Sequence, residues 1–118
     1  VDERGKEMTK DLECSTFQDR PAYRYIRKSD ALPLTEAARA EADPLVRVKL
    51  FDPTSAGTWY LAGYDPETRI AWGAAYIFEH EIGDIYIPEL IALRDQFGLP
   101  IERDLHFAPC RLSECKGR

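Results

Sequence analysis

A short acidic stretch is the first candidate for metal or acid–base chemistry in this chain. Glu79, His80 and Glu81 are consecutive, and Asp84 follows three residues later. Carboxylate oxygens bind hard divalent cations, and a carboxylate or an imidazole can act as a general base. Charged and polar side chains are also what a solvated hairpin turn ordinarily contains. The pattern therefore fits either a metal-dependent hydrolase or a plain turn between two strands.

Cysteine and histidine residues near the C-terminal end form a second candidate site. His106, Cys110 and Cys115 have the spacing H-x₃-C-x₄-C, and Cys14 would complete a His-Cys₃ set of the kind that binds zinc. The chain lacks the tight C-x-x-C knuckle, however, and buried thiols are common in protein cores. Three cysteines are also an odd count, which argues against a disulfide framework. We expect thiols and no cofactor, and zinc binding stays open as the alternative.

A basic and aromatic stretch, Arg20–Lys28, could contact nucleic acid or protein. Aromatic rings stack on unpaired bases while arginine and lysine neutralise phosphates, so the stretch fits a single-strand-binding accessory protein. The alternative is an edge strand or arm whose Tyr and Ile side chains pack inward while Arg and Lys stay in water. In the nucleic-acid interpretation the contacts would come from Arg20, Tyr23, Arg24, Tyr25, Arg27 and Lys28.

Two further side-chain types could take part in recognition. Trp59 and Trp72 fall on predicted strands, where each either lines a ligand groove or packs in the core. Arg103 stands between Glu102 and Asp104 and could hold a carboxylate or phosphate of a partner in a bidentate fork. Arg103 could equally pair with one of its acidic neighbours or with a main-chain carbonyl, and so fix the segment that follows the last helix.

The chain lacks the short motifs of the common catalytic sites. It contains no G-x-x-x-x-G-K-[ST], G-x-G-x-x-G, H-E-x-x-H or G-x-S-x-G. The standard phosphate loop, dinucleotide fingerprint, zinc protease and nucleophile elbow are therefore excluded. We favour a binding role over an enzymatic one.

Size and charge narrow the range of partners. The 118 residues fit one domain, and the net charge of −5 makes the protein acidic. Residues 1–30 contain seven acidic and seven basic side chains, so residues 31–118 carry the whole excess. An acidic body repels duplex DNA, which leaves only local contact with nucleic acid. No apolar run approaches the roughly 20 residues of a membrane helix, and the polar first ten residues lack a secretion signal, so we expect a cytoplasmic protein.

Hydrophobic periodicity predicts an α+β fold, with an antiparallel sheet of about four strands and one or two packed helices. An Ala-rich helix begins at Thr35, and the spacing of Leu90, Leu93 and Phe97 predicts a second helix over Pro88–Phe97. The predicted strands are Leu45–Phe51, Thr58–Ala62, Ile70–Phe78 and Asp84–Ile87. We expect residues 1–30 to form a flexible or extended arm and residues 31–118 to form the domain.

Three phrases of the sequence match one family. They are Asp43–Phe51, Thr58–Tyr60 and Gly98–Phe107, of which the last is the most specific. On these phrases the chain resembles, from Leu32 to Glu114, the domain of unknown function numbered 2958. The resemblance implies a small protein that is carried by plasmids, integrated elements or phages and has no assigned activity.

We therefore predict a non-enzymatic protein-interaction module of a mobile genetic element. It would bind a host or element-encoded protein through its sheet face or its N-terminal arm, and could inhibit a host defence or nucleic-acid-processing protein by covering a basic surface. The predicted partner-binding residues are Tyr23, Arg24, Tyr25, Arg27, Trp59, Glu79, Glu81, Asp84 and Arg103. The two alternatives are the single-strand-binding accessory protein and the metal-dependent hydrolase.

Overall fold

A computed structural model describes Glu13 and residues 24–116, and within them a sheet lies between short helical segments. The strands are β1 (Leu45–Val46), β2 (Val48–Phe51), β3 (Thr58–Asp65), β4 (Ile70–Tyr76), β5 (His80–Tyr86), β6 (Glu102–Arg103) and β7 (Cys110–Arg111). The helices are α1 (Thr35–Ala40) and α2 (Ile87–Ala92), with single 3₁₀ turns at Lys28–Asp30 and Leu112–Glu114. None of the helices in this part of the chain has the length and apolar character needed to cross a bilayer.

The main sheet has five strands in the order β5-β4-β3-β2-β6, and all neighbouring strands are antiparallel. The predicted α+β class with an antiparallel sheet is confirmed. The strand beyond the predicted four is β6, in which Arg103 pairs with Leu50 and Glu102 with Phe51. Two residues are too few to produce a period-2 pattern, so β6 cannot be recognised from the sequence.

Several predicted elements have different bounds in the structure. Strand β3 extends to Asp65 instead of Ala62, and β4 ends at Tyr76 instead of Phe78. Strand β5 begins at His80 instead of Asp84, so His80 and Glu81 belong to a strand and not to the predicted turn.

The strand Leu45–Phe51 divides at Arg47, because β1 pairs with β7 whereas β2 pairs with β3 and β6. Helix α2 ends at Ala92 instead of Phe97. The carboxylate of Asp95 accepts hydrogen bonds from the main-chain N–H groups of Phe97 and Leu99, both at 2.8 Å. These local hydrogen bonds form a turn, and they use N–H groups that a longer helix would bond to its own carbonyls.

Apolar side chains cover both faces of the sheet. One face, which we call the α2 face, packs against α2 and the segment around Tyr25; the other, the α1 face, packs against α1 and the Leu112–Glu114 turn. The buried side chains of the α2 face include Tyr25, Ile26, Val48, Leu50, Trp59, Leu61, Tyr64, Ile85, Ile87, Leu90 and Ile101. Those of the α1 face include Ala38, Val46, Tyr60, Ala62, Ala74, Leu112 and Cys115.

Part of the predicted arm belongs to this core. Tyr25 and Ile26 are fully buried on the α2 face. Glu13 joins them, since its N–H donates to the Ile26 carbonyl at 3.0 Å. Its carboxylate accepts hydrogen bonds from Arg69 at 2.8 and 2.9 Å and from the hydroxyl of Tyr64. Burial, together with the Glu13 carboxylate, raises the pKa of Tyr64.

Candidate functional site

An apolar groove lies on the α2 face, between α2, the end of β4 that leads into the β4–β5 hairpin and the opposite end of β5, which leads into α2. Its volume is about 510 Å³. Trp59, Ala75 and Ile85 contribute to it from the sheet, and Leu90 and Leu93 contribute from the helix. The groove is therefore lined mainly by aromatic and aliphatic side chains, which is typical of ligand and peptide sites.

The groove exists because α2 is short and begins directly after β5. Ile87 is fully buried and its N–H donates to the Arg69 carbonyl at 3.1 Å, which fixes the start of the helix against the sheet. Pro88 at the second helical position suits a helix that must begin abruptly. Because α2 ends at Ala92, Leu93 is left 43% exposed beside the uncovered part of the sheet face.

A smaller hollow of about 170 Å³ adjoins the groove at the β4–β5 hairpin, and the two share Ala75 and Ile77. We refer to both together as the tip groove. Phe78 lines the smaller hollow and its side chain is 100% exposed, while Ile77 is 52% exposed. A fully exposed phenylalanine beside an apolar hollow is a feature of interaction surfaces.

Acidic side chains surround the tip groove. Its lining contains the side chains of Glu79, Glu81 and Glu89 and, as far as the described residues extend, no lysine, arginine or histidine. Asp84 also belongs to the lining, but alternation along β5 places its carboxylate on the α1 face. Asp84 is paired with Arg39, whose Nη2 lies 2.9 Å from the Asp84 carboxylate. The three glutamates are exposed. Among the described residues none of the three glutamates forms an ion pair, so their negative charge surrounds an apolar centre.

The tip groove lies beside an open sheet edge. In the described part of the chain β5 pairs with β4 alone, so the main-chain N–H and C=O groups on its outer side have no strand partner. Asp84, Ile85 and Tyr86 of this edge strand also line the groove. An extended segment at this edge could therefore bond to the main chain of β5 and place side chains in the groove.

Four of the residues predicted from the sequence meet at this site. Trp59 and Asp84 line the larger hollow, and Glu79 and Glu81 line the smaller one. Reasoning from the sequence missed Ile77, Phe78 and Leu93, because alternation and helical spacing indicate a buried face without showing where the covering helix ends. Of these three, only Phe78 could have been noticed in the sequence, because it is an apolar residue directly before the acidic stretch that begins at Glu79.

Tyr25 and Arg103 lie in the core. Burial raises the pKa of the Tyr25 hydroxyl, which donates to the Ile101 carbonyl at 2.6 Å. Arg103 binds both carboxylate oxygens of Asp30, at 2.6 and 2.8 Å, and the Tyr25 carbonyl at 3.1 Å. Arg103 thus pairs within the chain: the expected bond to a main-chain carbonyl is present, and its carboxylate partner is Asp30 instead of Glu102 or Asp104.

Arg24 and Arg27 of the basic and aromatic stretch lie beside this ion pair. The N–H of Arg27 donates to the Asp30 carboxylate at 2.7 Å, and the Arg24 carbonyl accepts from Arg103 at 3.5 Å. Tyr23 lies outside the described residues. The single-strand-binding alternative requires exposed rings, and the fully buried Tyr25 does not provide one.

Two metal sites were considered from the sequence, the acidic stretch and the His-Cys₃ zinc set. In the described part of the chain neither has three ligands close together. No group of three or more His, Cys, Asp and Glu side chains there could hold an ion. Alternation along β5 places Glu81 on the α2 face and His80 on the α1 face, where the His80 ring stacks on Tyr76 with centroids 4.4 Å apart. For the zinc set, Cys110 and Cys115 are adjacent, whereas Cys14 lies outside the described residues.

Comparison with known proteins places the chain in a family. A family model described as "Protein of unknown function (DUF2958)" matches residues 26–115. The match spans most of the chain, so the chain belongs to the DUF2958 family, and the resemblance noted in the sequence is confirmed. No curated protein and no solved structure gave a match.

Proposed function

We propose that this DUF2958 protein is a non-enzymatic protein-interaction module whose tip groove binds an extended segment of a partner protein. The segment would alternate apolar side chains with lysine or arginine. The observation that carries the proposal is an apolar groove bordered by the carboxylates of Glu79, Glu81 and Glu89, with no basic side chain in its lining among the described residues. Potentials of opposite sign across an interface favour encounter and fix the register of the partner.

Phe78 and Leu93 supply the apolar part of the binding energy. Transfer of a fully exposed phenylalanine to an apolar interface contributes about 1.5–3 kcal/mol, and Phe78 is 100% exposed in the free protein. Leu93 and Ile77 are partly exposed and add smaller amounts. A few such anchors carry most of the affinity in protein interfaces.

The charge of the tip groove favours a basic partner over a second copy of this chain. In a symmetric dimer about β5, two copies of the same acidic surface would meet, which would gather Glu79, Glu81 and Glu89 of both copies at one interface. Charges of the same sign that are brought together at an interface repel each other and disfavour the complex. A basic strand instead neutralises them and still bonds to the open main chain of β5.

The proposal extends to the setting that the family resemblance implies. In that setting the protein belongs to a phage or plasmid and acts in the cytoplasm of the host. Proteins that bind nucleic acid expose lysine and arginine, and an acidic protein with a net charge of −5 is suited to cover such a surface. A host defence or nucleic-acid-processing protein is therefore the proposed class of partner.

Selection from a random peptide display library tests the groove without knowledge of the natural partner. Peptides are selected for binding to the wild-type chain. Those that also bind the Phe78→Ala/Glu81→Lys variant are then discarded, because they bind outside the tip groove. We expect a consensus that alternates apolar and basic residues. A synthetic consensus peptide should lose at least about tenfold in affinity for the variant by fluorescence anisotropy, which corresponds to 1.4 kcal/mol. Its affinity for wild type should also fall as salt concentration rises.

Two matched controls localise the effect. Phe97→Ala removes an exposed phenylalanine outside the tip groove, and Glu41→Lys reverses an exposed charge at the end of α1, on the other face of the sheet. Both variants should bind the consensus peptide as wild type does, and a peptide with glutamate at the basic positions should not bind. Absence of any consensus, or equal affinity for wild type and the Phe78→Ala/Glu81→Lys variant, contradicts the proposal.

A further inference from the structure

Two cysteines lie in contact on the α1 face, away from the tip groove. The Sγ atoms of Cys110 and Cys115 are 2.9 Å apart. A disulfide bond is about 2.0 Å long, so less than about 1 Å of movement separates the two thiols from bonding distance. Both residues are thiols in this structure.

The main chain holds the two cysteines in this arrangement. Cys110 is fixed in β7 by its pairing with Val46 of β1. The 3₁₀ turn Leu112–Glu114 then reverses the chain, and the Leu112 N–H donates to the Pro44 carbonyl at 2.9 Å. On the other side of the turn, the Cys115 carbonyl accepts the hydroxyl of Tyr76 at 2.7 Å. The contact therefore rests on anchored backbone at both ends.

The two thiols differ in access to solvent. Cys115 is 3% exposed, whereas Cys110 is partly exposed. Burial, with the hydrogen bond to Cys110, raises the pKa of the Cys115 thiol to about 12. A small oxidant can therefore reach Cys110, while Cys115 is placed to react only with the sulfur beside it.

We propose that Cys110 and Cys115 are a modification site at which a low-molecular-weight disulfide, such as oxidised glutathione, converts the two thiols into an intrachain disulfide. Cys110 loses its proton and the thiolate attacks one sulfur of the oxidant, so that the S–S bond of the oxidant breaks and a mixed disulfide forms. The departing small thiolate takes up the proton and leaves as a thiol. Cys115 then loses its proton and attacks the Cys110 sulfur. The second small thiol leaves and takes up that proton. Two protein thiols are oxidised, and one small disulfide is reduced to two thiols.

Peptide mapping of the full chain tests the proposal. Trypsin cleaves after Arg103, Arg111 and Lys116, so Cys110 and Cys115 fall in the separate peptides 104–111 and 112–116. After treatment with oxidised glutathione, alkylation under denaturing conditions and digestion, we expect these two peptides to be joined by a disulfide. Recovery of the two peptides in separately alkylated form, or linkage of either one to the Cys14 peptide, overturns the proposal.

Serine variants test the order of the steps. In Cys115→Ser the second step cannot occur, so a glutathione adduct should persist on Cys110. In Cys110→Ser the buried Cys115 should acquire no adduct, and the circular dichroism spectrum of each variant should match that of wild type. An adduct on Cys115, or none on Cys110 in Cys115→Ser, contradicts the mechanism. The wild-type peptide map needs no variant and decides the proposal by itself.

Discussion

Arg103 and Asp30 are 73 residues apart in the chain, yet their side chains form a bidentate ion pair with N–O distances of 2.6 and 2.8 Å. The two side chains are 7% and 8% exposed. Since Arg103 belongs to β6 and Asp30 to the first 3₁₀ turn, the pair ties the segment around Tyr25 to the edge of the sheet. Arg103 is thus a structural residue as well as a predicted partner-binding one.

Removal of the arginine should destabilise the protein strongly. Arg103→Met leaves the Asp30 carboxylate buried without its cation, and the loss of one partner from a buried pair costs about 3–5 kcal/mol. The measurement is the free energy of unfolding from urea denaturation. The Arg103→Met/Asp30→Leu double variant should recover part of the loss, because no unpaired charge then remains.

The exposed pair between Arg39 and Asp84 is the control for this experiment. Its side chains are 48% and 56% exposed, so Arg39→Met should cost only about 0.2–1 kcal/mol. Equal losses for Arg39→Met and Arg103→Met would show that the buried pair does not have the proposed structural importance.

Two glycines that face each other in the sheet should differ sharply in their tolerance of alanine. Gly73 of β4 pairs with Gly83 of β5. A Cβ on Gly73 would overlap the carbonyl oxygen of Tyr60, whereas a Cβ on Gly83 would meet nothing within 4 Å. Gly73→Ala should therefore cost about 3 kcal/mol or more, while Gly83→Ala should be neutral or slightly stabilising. Thermal unfolding of both variants checks this, and similar melting temperatures would contradict it.

The tip groove contains one residue that can be changed without harm to the fold. Phe78 is fully exposed, so Phe78→Ala should change the free energy of unfolding by less than about 0.5 kcal/mol. Trp59 is 6% exposed, and Trp59→Ala should cost about 3–5 kcal/mol. Chemical denaturation distinguishes the two. If Phe78→Ala were as damaging as Trp59→Ala, Phe78 would have to be part of the core, and its role as a binding anchor would be wrong.

The sequence predicts those parts of the fold that repeat a local pattern. Alternation at Val46, Val48 and Leu50 predicts the strand region correctly, although the change of partner strand at Arg47 depends on the distant β7. The predicted end of α2 was wrong, because the Asp95 carboxylate binds the N–H groups of Phe97 and Leu99 in a turn that helical spacing does not reveal. Strand β6 depends wholly on a long-range partner. Such contacts leave no periodic trace in a single sequence.

The candidate site was predictable in its chemistry but not in its shape. Glu79, Glu81 and Trp59 were recognised by residue type, and the structure brings them to one groove. Tyr25 and Arg103 have equally suitable side chains but are buried, and residue type alone does not reveal burial. The groove itself results from the short length of α2, which is a tertiary feature.

Asp43 should have an unusually acidic carboxyl group. The hydroxyl and the N–H of Ser113 donate to its two oxygens at 2.7 and 2.9 Å, and these bonds lower the pKa of Asp43. Its stabilising effect is therefore present above the ordinary carboxyl pKa and is lost as the pH falls through the lowered value. In an NMR titration, Ser113→Ala should move the Asp43 pKa upward. Thr54→Ala, which removes a hydroxyl bonded to Asp95, should leave Asp43 unchanged.

Cys115 should make the reduced protein less stable in alkaline solution. Its pKa is raised from 9.0 to about 12 by burial and by the contact with Cys110, so the folded state keeps the thiol protonated where the unfolded state ionises it. The unfolded state then binds fewer protons, and stability falls as the pH rises from about 9 towards 12. Buried tyrosines contribute in the same direction, so the diagnostic quantity is the difference between wild type and Cys115→Ser. In urea denaturation under a phosphine reductant, wild type should lose more stability over this range than Cys115→Ser, and parallel pH profiles would show that Cys115 ionises as readily in the folded state as in the unfolded one.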